Sequence, residues 1–250
     1  MVPKIVFIIP YRNRELHKKF FLKHMKDHVL KDRDDYELYF VHQCCDRLFN
    51  RGAMKNIGFL AIKSKYPDNY RDITLIFNDV DTMPFEPDQM SYQTTHGVIK
   101  HFYGFTYALG GIFSITGSDF EKINGFPNFW AWGYEDNAIY NRALKEKIQI
   151  DRTQFYPILD EKIIYFHHGY KRQVSKTQKK ELLKHTTEGI SEIYNLKYNF
   201  SEELINVEFF DIKGKHSYNS IELDEWDLRN GLNPYPNLRK GTMSMVMNIP

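Results

Sequence analysis

Four short stretches of this chain carry side chains able to do chemistry together. Asp79-Val80-Asp81 sets two carboxylates on either side of one residue, directly after the apolar run Ile73-Thr74-Leu75-Ile76-Phe77. Hard carboxylate oxygens at a strand end suit Mg²⁺ or Mn²⁺ held against a diphosphate. Glu135-Asp136 opens a segment in which Ile139, Arg142, Ala143 and Leu144 recur at helical spacing, and anionic side chains in a first turn suit a helix's positive end. Just upstream, Trp130 and Trp132 flank Ala131. An aromatic face beside a carboxylate makes a platform for a sugar ring, with the carboxylate receiving hydroxyl protons; the plainer alternative is a capped amphipathic helix with a Trp-rich core plug. Finally, His167-His168 closes the apolar run Ile163-Ile164-Tyr165-Phe166. Side chains alternate along a strand, so one of the two imidazoles, either one, is expected to face a metal.

Basic and small residues add a second layer. Arg12 and Arg14 follow the apolar run Ile5–Ile9, at the end of a strand where open α/β sheets bind ligands. Guanidinium forks match phosphate oxygens, although solvated loop arginines would have the same sequence. Gly110-Gly111 precedes the apolar Ile112–Ile115, where missing side chains let backbone approach a ligand or another strand.

The elements needed to position these groups are legible from hydrophobic pattern. Strands are expected at 5–9, 36–42, 73–77, 112–115 and 163–166, with helices at about 15–30, from Phe49-Asn50-Arg51-Gly52 onward, at 118–123 and from Glu135. The lysine-rich stretch 171–185 reads as a solvated helix or a mobile loop, and short strands are expected at 206–212 and 220–223. Strands alternating with helices indicate an α/β chain. Residues 1–200 are assigned to one catalytic domain, and 201–250 to an extension packed on it.

Composition narrows the class. The chain has 250 residues, 42% hydrophobic and 16% aromatic, enough for one full core. A net charge of only +2 gives no bulk signal for nucleic acid. Cys44 and Cys45 are adjacent, so free thiols in a reducing compartment are expected rather than a disulfide. The N-terminal apolar run is too short to span a bilayer and lacks a cleavage signal, so a cytoplasmic protein without a membrane span is expected.

Read in order, Ile9-Pro10-Tyr11-Arg12-Asn13-Arg14, Phe49-Asn50-Arg51, Asn56-Ile57-Gly58-Phe59, Asp79-Val80-Asp81, Gly110-Gly111, Ile123–Asn128 and Trp130–Asp136 resemble the blocks of the β-1,4-galactosyltransferase family, from about residue 5 to residue 198. The resemblance implies a GT-A fold, a mixed, mostly parallel sheet flanked by helices. It also implies inverting, metal-dependent transfer of galactose or N-acetylgalactosamine from UDP-Gal or UDP-GalNAc to a carbohydrate or glycoconjugate acceptor. Carried over by position, Pro10, Arg12, Arg14, Phe49 and Arg51 would hold UDP, with Asp79, Val80 and Gly111 on the donor side. Asp81 and His167 or His168 would ligate Mn²⁺, with Mg²⁺ a possible substitute. Trp132 and Gly133 would form the sugar platform, Asn137 the acceptor grip, Glu135 would position sugars, and Asp136 would be the base. Ala108, two residues before the paired glycines, would leave room for a 2-acetamido group unless Tyr107 swings in. Asn137 and Tyr134 depart from the family pattern, and the loop Gly104–Gly110 is shorter. Two other readings stay open: a catalytically silent sugar-binding module, and a metal-dependent phosphoesterase lacking a full two-metal ligand set.

Overall fold

In the computed structural model, residues 1–167, 169–175, 187–213, 218 and 221–231 are described. The first strand, β1 (Ile5–Tyr11), is buried along its whole length. Alternation sends Ile5, Phe7 and Ile9 into one hydrophobic cluster and Val6 and Ile8 into another. A strand covered on both faces needs an unbroken apolar run, which is what the sequence has here. Strands β2 (Tyr36–Gln43) and β3 (Thr74–Asn78) flank it, both parallel to it.

The remaining strands are β4 (Thr82–Pro84), β5 (Val98–Gly104), β6 (Ile112–Thr116), β7 (Gln149–Asp151), β8 (Tyr156–Pro157), β9 (Ile163–Tyr165), β10 (Lys171–Ser175), β11 (Ile193–Ser201), β12 (Leu204–Ile212) and β13 (Leu223–Asp227). The main sheet has the order β11-β12-β2-β1-β3-β6-β5-β7, with β8 also paired to β5. It is mixed and mostly parallel: β6 runs antiparallel to β3 and β5, and β11 antiparallel to β12. Helix α1 (Glu15–His24) contributes Phe21 to the cluster of Phe7 and Ile9, and α2 (Arg51–Lys65) lines the opposite cluster with Met54, Ile57 and Phe59. Helices α3 (Gly117–Lys122) and α4 (Glu135–Lys145) join α2 on that side through Phe120, Ile139 and Ala143. Gly58 sets the α2 approach: a Cβ there would stand 2.5 Å from Ile8 Cγ2 and 2.9 Å from Val41 Cγ2.

This topology gathers one edge. Parallel β1, β2 and β3 all end there, at Tyr11, Gln43 and Asn78. Antiparallel β6 begins there, with Ile112 opposite Asn78, so Gly110-Gly111 arrives at the same edge.

Three expectations change. The helix expected over 15–30 is regular only to His24, and a π turn, Met25–Val29, then buries Met25 and Val29. Lys171–Ser175 is a strand, antiparallel to β13, rather than a helix or mobile loop; pairing with a segment some fifty residues away is non-local and leaves no mark in local composition. The rest of that stretch, 176–185, lies outside the described residues. The boundary expected at 200 falls inside the β11–β12 hairpin, and β12 pairs in parallel with β2, so the main sheet continues through Ile212. Among the described residues, no helix is long and apolar enough to cross a membrane.

Candidate active site

The site is built outward from the start of α2. Asn50 caps that helix, its Oδ1 accepting from the Ala53 amide at 2.9 Å. Its own amide donates to Gln43 Oε1 at 2.9 Å and its Nδ2 to the Asn128 carbonyl at 3.0 Å. With the cap held on both sides, Arg51 projects into a group of carboxylates. Its Nε donates to Glu135 Oε1 at 2.6 Å, Nη1 to Asp79 Oδ2 at 2.9 Å, and Nη2 to Asp136 Oδ2. One turn further on, Lys55 is 1% exposed, with Nζ 3.3 Å from Asp136 Oδ1 and 3.8 Å from Asp79 Oδ1. Two cations in the first turns of a helix oppose its dipole, and these acidic partners offset that.

The network separates the acids. Burial disfavours the Arg51 charge, but Asp136, Asp79 and Glu135 together hold its pKa well above the usual arginine value. Burial also pushes Asp136 upward, yet Arg51 and Lys55 outweigh it and the carboxyl lies below its ordinary range. For Asp79 burial wins over the same two cations, and its pKa is raised. Among the described residues, buried Asp79 Oδ1 has no hydrogen-bond partner, the Lys55 ammonium standing 3.8 Å away.

The two tryptophans differ in burial and partners. Trp130, 1% exposed, stacks on Phe210 with centroids 5.4 Å apart, and the Arg47 guanidinium lies 5.0 Å from its ring. It is the core plug. Trp132 is half-buried, and its amide donates to the Gln173 carbonyl of β10 at 2.8 Å. Ala131 (φ 76°) and Tyr134 (φ 66°) both adopt left-handed backbone around it, a strained conformation for residues with side chains. The preceding turn is fixed: Asn56 donates to the Phe126 carbonyl at 2.8 Å and accepts from the Phe126 amide at 2.9 Å, while Arg142 donates to the Gly125 carbonyl at 2.6 Å.

On the opposite wall the Arg12 guanidinium lies 5.3 Å from the Phe49 centroid and donates to the Arg47 carbonyl. Pro10 is buried, and Arg14 is half-buried at the start of α1. Arg172 of β10 was not singled out by the sequence. Burial lowers its pKa, against an opposing effect from nearby Tyr165 and Asp81, and Arg14 and Arg51 are also close enough to act on it. Lys55 was missed too, although its spacing of four from Arg51 is readable in the sequence.

The metal side is less complete. The Phe166 amide donates to the Asp81 carbonyl at 2.9 Å, because β4 and β9 pair just beyond; this brings the chain entering the histidine pair alongside Asp81. His167 is exposed, its ring 4.4 Å from that of Tyr170, and His168 lies outside the described residues. Among the described residues, no group of three His, Cys, Asp or Glu side chains is assembled to hold a metal. A carboxylate at Asp81 with one imidazole and bound diphosphate oxygens still fits Mn²⁺ chemistry.

The loop between β5 and β6 packs against Asp136. Gly111 has φ +70°, and a Cβ on it would meet the Tyr103 carbonyl at 2.4 Å; one on Gly110 would lie 2.6 Å from Asp136 Oδ2. The Leu109 amide donates to the Asp136 carbonyl at 2.9 Å, and Asn137 Nδ2 to the Tyr107 carbonyl at 3.3 Å. Asn137, expected to grip the acceptor, thus ties this loop to α4. Ala108 is buried, and Tyr107 stacks on Phe105 at 5.2 Å. Beneath the loop, buried His101 has Nε2 3.1 Å from the Tyr103 carbonyl and 3.2 Å from that of Gly110, while Nδ1 accepts from Arg152 Nε at 3.2 Å. Burial first, then Arg152, lowers its pKa to about 4, so it is a neutral, structural imidazole.

Two sequence families match this chain. The N-terminal region of glycosyl transferase group 7 matches residues 2–95, and the N-terminal domain of galactosyltransferase matches residues 93–169. Mouse (Mus musculus) β-1,4-galactosyltransferase 1 is 35% identical over 159 residues, covering 60% of this chain and 39% of the relative. Hamster (Cricetulus griseus) β-1,4-galactosyltransferase 4 is 30% identical over 241 residues, covering 90% of this chain and 64% of the relative. The chain belongs to the β-1,4-galactosyltransferase family. It spans about two fifths of the length of the mouse relative. The catalytic domain of Drosophila β-1,4-galactosyltransferase 7, solved with xylobiose, superposes with TM-score 0.69 at 19% identity, covering 86% of this chain and 96% of that one. A second structure of that enzyme, a mutant holding manganese, UDP-Gal and xylobiose, gives 0.68 at 20% identity, with the same coverage. This likeness establishes the GT-A fold for this member of the family.

Proposed function

We propose that the protein is a metal-dependent inverting glycosyltransferase, moving galactose or N-acetylgalactosamine from a UDP-sugar to a hydroxyl of a carbohydrate acceptor. The observation that carries this reading is the meeting of Arg51 with Asp79, Glu135 and Asp136 at the carboxyl edge of the sheet. Family membership and the UDP-Gal and manganese held by the Drosophila neighbour support it.

In this reading Arg12, Arg14 and Arg51 face the diphosphate, and Phe49 and Pro10 wall the nucleoside side together with Val80 and Gly111. Asp79 accepts a donor hydroxyl, and Glu135 orients the sugars. Trp132, with Gly133 beside it, stacks on a sugar face. Asp136 takes the acceptor hydroxyl proton as the new bond to the anomeric carbon forms and the bond to UDP breaks. One displacement inverts the anomeric centre and needs no enzyme nucleophile. Asp81 with His167 or His168 would hold Mn²⁺, or Mg²⁺ less well, and a bound divalent ion neutralises the charge gathering on the departing diphosphate. The free thiols of Cys44 and Cys45 suit the reducing, cytoplasmic setting expected from the sequence.

The test is UDP release over a panel of UDP-sugars and simple glycosides, with and without Mn²⁺, with products identified. Transfer that requires metal and is lost in Asp81→Ala is expected. Full transfer in excess chelator would refute the metal role. UDP release without any glycoside product would point to hydrolysis instead.

A further inference from the structure

Lys55 sits in the middle of the most buried helix among the described residues, with Gly52 through Phe59 all buried around it. Its ammonium lies 4.5 Å from the Phe126 ring centroid, and its ion pairs are to Asp136 and Asp79. A buried ion pair is seldom more stabilising than a well-packed apolar side chain, so stability alone is a weak reason for a lysine here.

The two oxygens of Asp136 are divided between two cations of unequal access. Oδ2 receives Arg51 and Oδ1 receives Lys55. The Arg51 side chain is 24% exposed and that of Lys55 1%. A phosphate entering the cleft can therefore draw on the guanidinium, whereas the ammonium is sealed beneath it. Gly110 packs directly against Oδ2, where a Cβ would lie 2.6 Å away. Oδ1 is thus the oxygen that stays clamped by a sealed cation when Arg51 is drawn toward a phosphate.

We propose that Lys55 is a positioning residue for the transfer reaction, a fixed counter-cation that keeps the Asp136 carboxylate aimed and ionised while Arg51 engages the donor diphosphate. The proposal rests on the reading of Asp136 as the base. Facing Asp136 are Arg51 and Lys55 from α2, Asp79 after β3, Glu135 on its own helix, and His101 of β5 close enough to feel its charge. With Lys55 neutralised and Arg51 on the diphosphate, Asp136 is left among two carboxylates, which favours its protonated form.

The experiment compares Lys55→Met, Lys55→Arg and Asp136→Asn with the parent enzyme in steady-state transfer across pH. Lys55→Met should lower kcat about tenfold or more near neutrality and move the acid limb of kcat up by about one pH unit, with donor KM changed no more than about twofold. Lys55→Arg should recover much of both. If Lys55→Met does not fold, Lys55→Gln carries the same comparison. An unmoved acid limb, with any activity loss matched by loss of folded protein in circular dichroism, overturns the proposal. If Asp136→Asn turns over normally, the base assignment fails first, and the Lys55 proposal with it. If Asp136→Asn is inactive and the limb of Lys55→Met is unmoved, only the Lys55 proposal falls.

Discussion

Replacing Arg51 by methionine should destabilise the fold in a way that depends on pH. The guanidinium faces Asp79, Glu135 and Asp136, whose side chains are only 20%, 5% and 18% exposed. Methionine keeps much of the volume but leaves these carboxylates with Lys55 as their nearby cation. Removing one partner of a buried ion pair costs about 3–5 kcal/mol, which for a chain of this size lowers Tm by roughly 6–20 °C. The pH dependence follows from the shifted groups. In the parent, Asp136 lies below its ordinary pKa, so its pairing contributes stability above the unfolded value of about 3.9 and loses it as pH falls through the folded one. Asp79 lies above its ordinary pKa and works in the opposite sense, subtracting stability as pH rises through its folded value. Without Arg51 both carboxyls move upward, and each then subtracts stability as pH rises. The deficit of Arg51→Met should therefore already be present at about pH 5, where the parent's Asp136 pairing is intact, and be larger at about pH 7.5. Calorimetric melts of both proteins across that range measure it. An equal deficit at the two ends, or a loss under about 3 °C at the upper one, would refute the electrostatic reasoning.

Three further outcomes are expected. Asp136→Asn should keep UDP-sugar affinity, by titration calorimetry, and lose roughly two to four orders of magnitude in turnover; normal turnover there, with Glu135→Gln dead, would exchange the two roles. Ala108→Tyr should shift donor competition from UDP-GalNAc toward UDP-Gal, because steric exclusion discriminates more than the roughly 1–3 kcal/mol of an unfilled pocket; an unchanged ratio would remove Ala108 from the donor site. Gly58→Ala should cost about 1–3 kcal/mol by denaturant unfolding, since its new Cβ would lie 2.5 Å from Ile8 Cγ2; a neutral result would mean α2 shifts without loss.

Local pattern was enough to find β1, β3 and β6, because each is a short segment whose burial on both faces demands a nearly continuous apolar run, and α2, where Met54 and Ile57 stand at helical spacing. It was also enough to mark Asp79, Asp81, Glu135 and Asp136 as candidates, the first two after an apolar strand and the others at a helix start. The carboxylate grouping around Arg51 was not legible. It joins residues 28, 84 and 85 positions apart, and only the parallel arrangement of β1, β2 and β3 brings their carboxyl ends to one edge. The same holds for the division between Trp130 and Trp132. Their sequence contexts are nearly identical, and it is the arrival of Phe210, from a strand added to the far side of the sheet, that makes one a core residue and leaves the other half-buried. Lys55 shows the limit most directly: a lysine in a helix reads as solvent-facing, and only tertiary burial beside two acids turns it into part of the site. Residue types set what chemistry this chain can do. Which of those residues meet was decided by long-range strand order, because charges separated along the chain interact only once folding has removed the water between them.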